Sequence, residues 1–250
     1  MNHPIQHWLI YGDSGAGKST GATTFPKPAL VLFFDPLGKD TPYRRRGVVN
    51  EVKAPDGTLI HEVLSRKDGS LLFQIEHYLE ADPQRPVMWP RFLQRMTRLE
   101  ADIEANGFQT VILDSVTFME LTARKYSQYV LNPTSKEPRQ WFGFSTDALE
   151  ELLMIRFGSL NTNVVALAHI DDQKVSSQGI NVFSIAAPGR ISRRGPGAYS
   201  EVYRAYATIA DASGNTEYLW QTHANMMYTA STQIGAPDGS PSEYAALWTA

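Results

Sequence analysis

The sequence predicts a three-layer α/β fold: a mostly parallel sheet flanked by helices, with antiparallel hairpins at its edge. Three observations lead there. Trp8–Tyr11, "ALVLFFD" (Ala29–Asp35), "QTVILDS" (Gln109–Ser115) and "NVVALAH" (Asn163–His169) are nearly uniform apolar runs, as parallel strands covered on both faces are. Helical patterns separate them. Elsewhere, glycine turns between strand-like runs mark hairpins.

Taken in order, the first strand is Trp8–Tyr11. A helix should start near Gly17 and stop early, because Phe25-Pro26-Lys27-Pro28 follows and proline cannot continue a helix. Ala29–Asp35 is the second strand, and "TPYRRRG" reads as a basic turn. Residues 48–80 contain Asp56-Gly57 and Asp68-Gly69, and read as an inserted β-hairpin element. The last part of it, through Tyr78, reads alternatively as a helix start. "RFLQRMTRLEADIEANG" is helical and stops at Gly107. The third strand ends at Asp114-Ser115, and a helix covers Thr117–Leu131. "NPTSKEPRQWFGF" reads as a loop, and Ser145 as the N-cap of a helix to Gly158. After the fourth strand, the stretch from Asp171 is polar and rich in Gly, Ser and Arg. "EVYRAYATIAD" and "TEYLWQTH" flank Ser213-Gly214-Asn215 as a hairpin. The expected organisation is one domain over 1–235 and an irregular tail over 236–250.

Bulk composition narrows the function classes. The chain has 250 residues, 42% hydrophobic and 20% charged, which is ordinary for a globular protein. It has no cysteine, so disulfides and thiolate metal sites are excluded. This suits a cytoplasmic location. No apolar run could span a bilayer, and no signal-peptide pattern opens the chain. A net charge of -3 gives no global field for nucleic acid, so any DNA contact must come from local basic patches.

The densest signal is "GDSGAGKST", Gly12, Asp13, Ser14, Gly15, Ala16, Gly17, Lys18, Ser19 and Thr20. It fits the phosphate-loop pattern between an apolar strand and a helix. Its glycines let successive amides face one concavity. Lys18 then reaches the outer phosphates of ATP, and Ser19 offers a hydroxyl to Mg²⁺. An apolar strand ending in Asp114 supplies the acid expected to hold that Mg²⁺. His169 ends another buried strand, at the sheet edge where α/β ligands sit. It reads as a donor sensing the terminal phosphate, against a plain structural histidine.

Together, "YGDSGAGKST", "TFPKPALVLFFD", "VILDS", "VVALAH" and "APGRIS" resemble a family of phage-encoded RecA-like ATPases of the Sak type, associated with single-strand annealing and recombination. The resemblance runs from Trp8 to about Thr232. It implies a RecA-like core that binds ATP and Mg²⁺, contacts single-stranded DNA, assembles as a homo-oligomeric ring or filament, and works beside a single-strand DNA-binding protein. Lys18, Ser19, Asp114 and His169 match the family's nucleotide, metal and phosphate-sensing positions. The catalytic acid does not carry over: Leu37 stands where it is expected, Asp35 is the nearest carboxylate and Asp40 the next. Slow hydrolysis follows.

The resemblance also assigns two DNA-facing loops. In the first, Lys136 and Arg139 lie beside Trp141, Phe142 and Phe144, the mix of cations and rings that single strands use. A hydrophobic lid or a subunit contact is the alternative. In the second, Lys174 is the one basic residue. Beyond it, Arg190, Arg193 and Arg194 could meet DNA, reach a neighbour's ATP in trans, or stay solvated. Arg44, Arg45 and Arg46 read as a solvated turn. Two rival functions stand beside the DNA-directed ATPase: an ATP-switched assembly or loader protein, and a small-molecule or nucleotide kinase.

Overall fold

The structure, a computed structural model, describes residues 4–36, 38–55, 59–175, 181–209 and 214–248, without the side chains of 172–175 and 181. Leu37, the Asp56-Gly57 turn, Ser213 and the side chain of Lys174 thus lie outside the described residues.

An 11-stranded sheet runs through the molecule. Its parallel core comprises β1 (His7–Gly12), β2 (Ala29–Phe33), β5 (Leu71–His77), β6 (Thr110–Asp114), β7 (Asn163–Val175) and β9 (Glu201–Ile209), in the order β9-β1-β7-β6-β2-β5. Antiparallel strands extend both sides: β4 (Leu59–Ser65) and β3 (Val48–Lys53) beyond β5, and β10 (Thr216–Gln221) and β11 (Ser240–Pro241) beyond β9.

Side chains alternate across a strand, so each apolar run feeds two cores. Leu9, Tyr11, Leu30, Leu32, Val111, Leu113, Val164 and Ala166 face one side. There they meet buried residues of α3 (Met88–Met96), α4 (Leu99–Asn106), α5 (Val116–Tyr126) and α6 (Pro138–Glu150). Trp8, Ile10, Val31, Phe33, Ile112, Val165 and Leu167 face the other. That side is covered by two short helices, α1 (Lys18–Ala22) and α2 (Thr41–Arg44), and by a ring cluster. Phe25 sits in this cluster, 4.9 Å from Trp8, 5.0 Å from Tyr244 and 6.2 Å from Trp220 between ring centroids.

Six expectations need correction. The segment ending in Tyr78 is not a helix start: β5 pairs antiparallel with β4, as the hairpin reading expects, and on its other side pairs parallel with β2, which places it inside the core. Phe73 and Ile75 are fully buried there, and burial against a strand distant in sequence leaves no local trace. The basic turn contains α2. The "NPTSKEPRQWFGF" loop becomes helix from Pro138, which stands in the first turn, where its missing amide costs nothing. Ser145 is therefore not an N-cap. It lies mid-helix, and its hydroxyl donates to Glu120 Oε1 at 2.8 Å. The polar stretch after His169 is a β-ribbon, with β7 running on to pair antiparallel with β8 (Asn181–Ile185). The tail forms β11 and a short turn of helix at Tyr244–Trp248, with Leu247 buried in the second core.

Phe25→Ala should cost about 3–5 kcal/mol, the usual loss for a buried ring. In a chain of this size that lowers Tm by roughly 6–20 °C. A drop under about 3 °C in thermal unfolding would show that the ring cluster does not anchor this face.

Candidate nucleotide site

Parallel register brings the strand ends together. Gly12 pairs with His169 and Phe33 with Asp114, so β1, β2 and β6 end on one edge, level with His169 inside β7, which runs on to Val175. Asp35 follows two residues after β2. The cleft on this edge has a volume of about 630 Å³, within the range of small-ligand sites.

The phosphate loop forms one wall, with Ser14, Gly15, Gly17, Lys18, Ser19 and Thr20 lining the cleft. Gly17 has φ 82°, a conformation that favours glycine. A side chain there would also strike the Tyr218 ring, 2.7 Å from its Cβ position. At Gly12 a Cβ would stand 2.3 Å from the carbonyl oxygen of Ala205, so β9 packs against the loop's base. Gly12, Asp13 and Ala16 shape the loop without lining the cleft. Lys18 is buried, and its Nζ donates to the carbonyls of Gly12 at 2.8 Å and Asp13 at 2.7 Å. Burial lowers its pKa, while Asp114, Asp35 and Asp13 oppose that shift.

Two carboxylates face this lysine. Asp114 is buried, and burial first, then the charge of Asp35, pushes its pKa up to about 6. Hydrogen bonds from Ser19 and Tyr43 and the charge of Lys18 pull the other way. The Tyr43 hydroxyl donates to Asp114 Oδ2 at 2.8 Å. Asp35 Oδ1 accepts from Ser115 Oγ at 2.5 Å, and its Oδ2 lies 3.7 Å from His169 Nε2. The His169 amide donates to Thr117 Oγ1 at 3.0 Å, and Phe118 meets the imidazole edge-on at 5.8 Å.

Ser19 and Asp114 are already in contact and offer hard oxygen donors, the kind Mg²⁺ prefers. Asp114 and Asp35 stand together in the same cleft, two carboxylates that a dication can bridge or neutralise. The residues therefore fit a bound Mg²⁺, which would neutralise charge on the outer phosphates. The loop and Lys18 would hold a triphosphate, and Asp35 and His169 line the same cleft.

The other candidates lie elsewhere. Lys136, Arg139, Trp141, Arg190, Arg193 and Arg194 do not line the cleft. Lys136 and Arg139 are exposed and Trp141 is half-buried at the start of α6. Phe142 lies under Arg124, 4.7 Å from the guanidinium, and Phe144 lies 6.4 Å from Tyr126, so these rings pack on α5. Arg190 pairs with Asp147 and Glu150, both at 2.5 Å, and Arg194 with Glu150 at 3.8 Å. Arg193 is exposed and makes no ion pair among the described residues. Arg44 is not merely solvated: it contacts Asp40, Glu51 and Glu62.

Sequence reasoning missed Tyr43, Thr117, Phe118 and Tyr218, all cleft or second-layer groups. Tyr43 was hidden in an arginine-rich stretch. Thr117 and Phe118 follow the "DS" strand end and were legible as neighbours of Asp114. Tyr218 arrives from β10 and had no local signal.

The shift at Asp114 sets a pH dependence. Its folded pKa of about 6 lies above the ordinary 3.8, so the folded chain holds this proton more tightly than the unfolded chain. Stability from this group is present below the ordinary value and lost as pH rises through about 6. Asp114→Asn should therefore stabilise the nucleotide-free protein at pH 8 by roughly 1–3 kcal/mol, with the gain shrinking toward pH 4. Thermal unfolding at both pH values is the check; a lower Tm at pH 8 would contradict a strained, ionised Asp114. The same substitution should weaken Mg²⁺-dependent turnover far more than nucleotide binding.

In sequence, residues 6–234 match the family AAA_24, described as an AAA domain. No curated protein matches. In structure the chain is similar to a KaiC-like protein from the archaeon Pyrococcus horikoshii OT3, at 13% identity and a TM-score of 0.40, covering 91% of this chain and 82% of that one. It is also similar to an ATPase from the type III secretion system of pathogenic bacteria, at 13% identity and a TM-score of 0.46, covering 80% of this chain and 51% of that one. Likeness at this level bears on neither substrate nor partner. The family match spans the phosphate loop and every strand end that builds the cleft, and the chain belongs to the AAA domain family, as a P-loop ATPase.

Proposed function

We propose that the protein binds ATP with Mg²⁺, hydrolyses it slowly, and acts with single-stranded DNA in recombination or annealing, as the phage-encoded RecA-like ATPases it resembles do. The observation that carries the nucleotide part is the convergence of Lys18, Ser19, Asp114, Asp35 and His169 on one cleft. Lys18 and the loop amides bind the phosphates, and Ser19 with Asp114 hold the metal. Asp35 is the carboxylate nearest the place of the missing acid. Its oxygens are engaged by Ser115 and His169, which restrains it as a base and supports slow turnover.

The DNA part is supported by the exposed pair Lys136 and Arg139 beside Trp141. It is also supported by β7, which carries His169 at the cleft and continues directly into the ribbon with β8. No arginine lines the cleft among the described residues. That disfavours a kinase with an arginine-rich lid, and it leaves a trans-acting arginine to a neighbouring copy in a homo-oligomer. Arg193 is the free candidate. The second reading, an ATP-switched assembly protein, draws support from Arg190 and Arg194, whose charge is already spent on Asp147 and Glu150.

Lys18→Ala should weaken ATP binding at least about tenfold by calorimetry, through the lost charge-assisted contact, with far-UV circular dichroism unchanged. Wild-type affinity would remove the phosphate-loop assignment. On a labelled oligonucleotide, binding should be ATP-favoured and salt-sensitive. The double substitution Lys136→Ala with Arg139→Ala should reduce the slope of log affinity against log salt by about 1.4, two phosphates' worth for a single strand. An absence of DNA binding with and without ATP would leave the assembly protein in place of the recombination reading.

A further inference from the structure

A second polar cluster lies on the same sheet edge, outside the nucleotide cleft. Asp40 precedes α2, Glu62 lies on β4, and His77 ends β5. All three are buried, and one ligand atom from each lies within 4.8 Å of the others. It is the one such group of three among the described residues. Three distant segments converge here, so local sequence does not explain the grouping.

The burial is severe. The Glu62 side chain is fully inaccessible, and neither of its carboxylate oxygens has a hydrogen-bond partner. The His77 side chain is 9% exposed, its Nε2 also lacks a partner, and that nitrogen lies 3.9 Å from Glu62 Oε2. Buried polar atoms left this way cost free energy unless something else engages them. The cation at hand is Arg44. Its Nη1 lies 3.1 Å from Glu62 Oε1 and 3.6 Å from Asp40 Oδ2, without forming a hydrogen bond to Glu62. One guanidinium charge faces two carboxylates, which leaves net charge -1. Arg44 is also 41% exposed and has a second partner at the surface, Glu51 at 3.4 Å. It can swing to Glu51 and free the cluster, and a dication in its place would bring the charge to zero.

The geometry points to a divalent transition-metal site formed by Asp40, Glu62 and His77. Two carboxylates and one imidazole are a donor set for Zn²⁺ and its first-row relatives. Ligand atoms around a tetrahedral ion stand about 3.4 Å apart, given bonds of about 2.1 Å, so the cluster must contract by up to about 1.4 Å from its 4.8 Å spread to close on a metal. His77 offers an imidazole nitrogen, a donor that first-row metals bind in its neutral form. The ring is further fixed by edge contact with Phe33 at 5.4 Å. The inference does not depend on ATP hydrolysis or DNA, because none of the three residues lines the nucleotide cleft.

The test uses untagged, chelator-stripped protein without nucleotide, titrated with Co²⁺ and then Zn²⁺. With no cysteine in the chain, visible cobalt bands report nitrogen and oxygen ligands alone. The expected result is one equivalent bound with micromolar or tighter affinity, bleached by Zn²⁺, and a Zn²⁺-dependent rise in Tm of several degrees. His77→Ala and the isosteric Glu62→Gln should each weaken binding at least tenfold, while Asp114→Asn should leave it unchanged. Arg44→Ala should bind at least as tightly as wild type, since it removes the competing cation. No bound Co²⁺ or Zn²⁺ on the wild-type protein would overturn the site. So would binding that survives His77→Ala and Glu62→Gln, or that disappears in Asp114→Asn, which would assign the ion to the phosphate-loop site instead.

Discussion

Lys18 has to be charged where water is scarce, and two buried acids make that possible. Asp114 and Asp35 come from neighbouring strands, and their charges oppose the desolvation of the lysine. Burial first, and then the charge of Asp35, make Asp114 keep its proton more readily. Neither side of this arrangement is comfortable alone, because an isolated buried charge is costly. The parallel register is what holds it: with Phe33 opposite Asp114 and Gly12 opposite His169, a shift of one residue would turn the strand-end side chains to the opposite face.

The two faces of the sheet are closed by different means. One is covered by helices α3 to α6. The other carries two short helices, the ring cluster around Phe25, and the tail. The thinner face is also the one that holds the phosphate loop. Tight backbone contacts compensate there: Ala205 leaves no room for a side chain at Gly12, and Tyr218 leaves none at Gly17. The loop's shape is thus set from outside by β9 and β10, two strands that lie nearly two hundred residues away in sequence.

Helix α2 joins two polar centres. Tyr43 on that helix bonds Asp114 in the nucleotide cleft, while Asp40 just before it and Arg44 at its end belong to the cluster with Glu62. Adjacent residues of one four-residue helix therefore reach Asp114 and the second cluster. Arginines on the opposite side are spent differently. Arg190 and Arg194 neutralise acids of α6, so their charge is a packing device before it is a recognition device.

The sequence by itself determined the phosphate loop, the four apolar strands, Asp114, and the place of His169 on the cleft edge, though not that its strand runs on to Val175. These were legible because each depends on short-range chemistry: glycine freedom, helix punctuation, and continuous burial. Tertiary structure decided the rest. It made β5 a core strand, turned a supposed loop into α6 and a polar stretch into a ribbon, and brought Tyr43 and Tyr218 to the site. It also gathered Asp40, Glu62 and His77 from three segments. For β5, Tyr43 and Tyr218 the deciding term is a contact between residues far apart in the chain, and burial against a distant partner leaves no periodicity for local sequence to display.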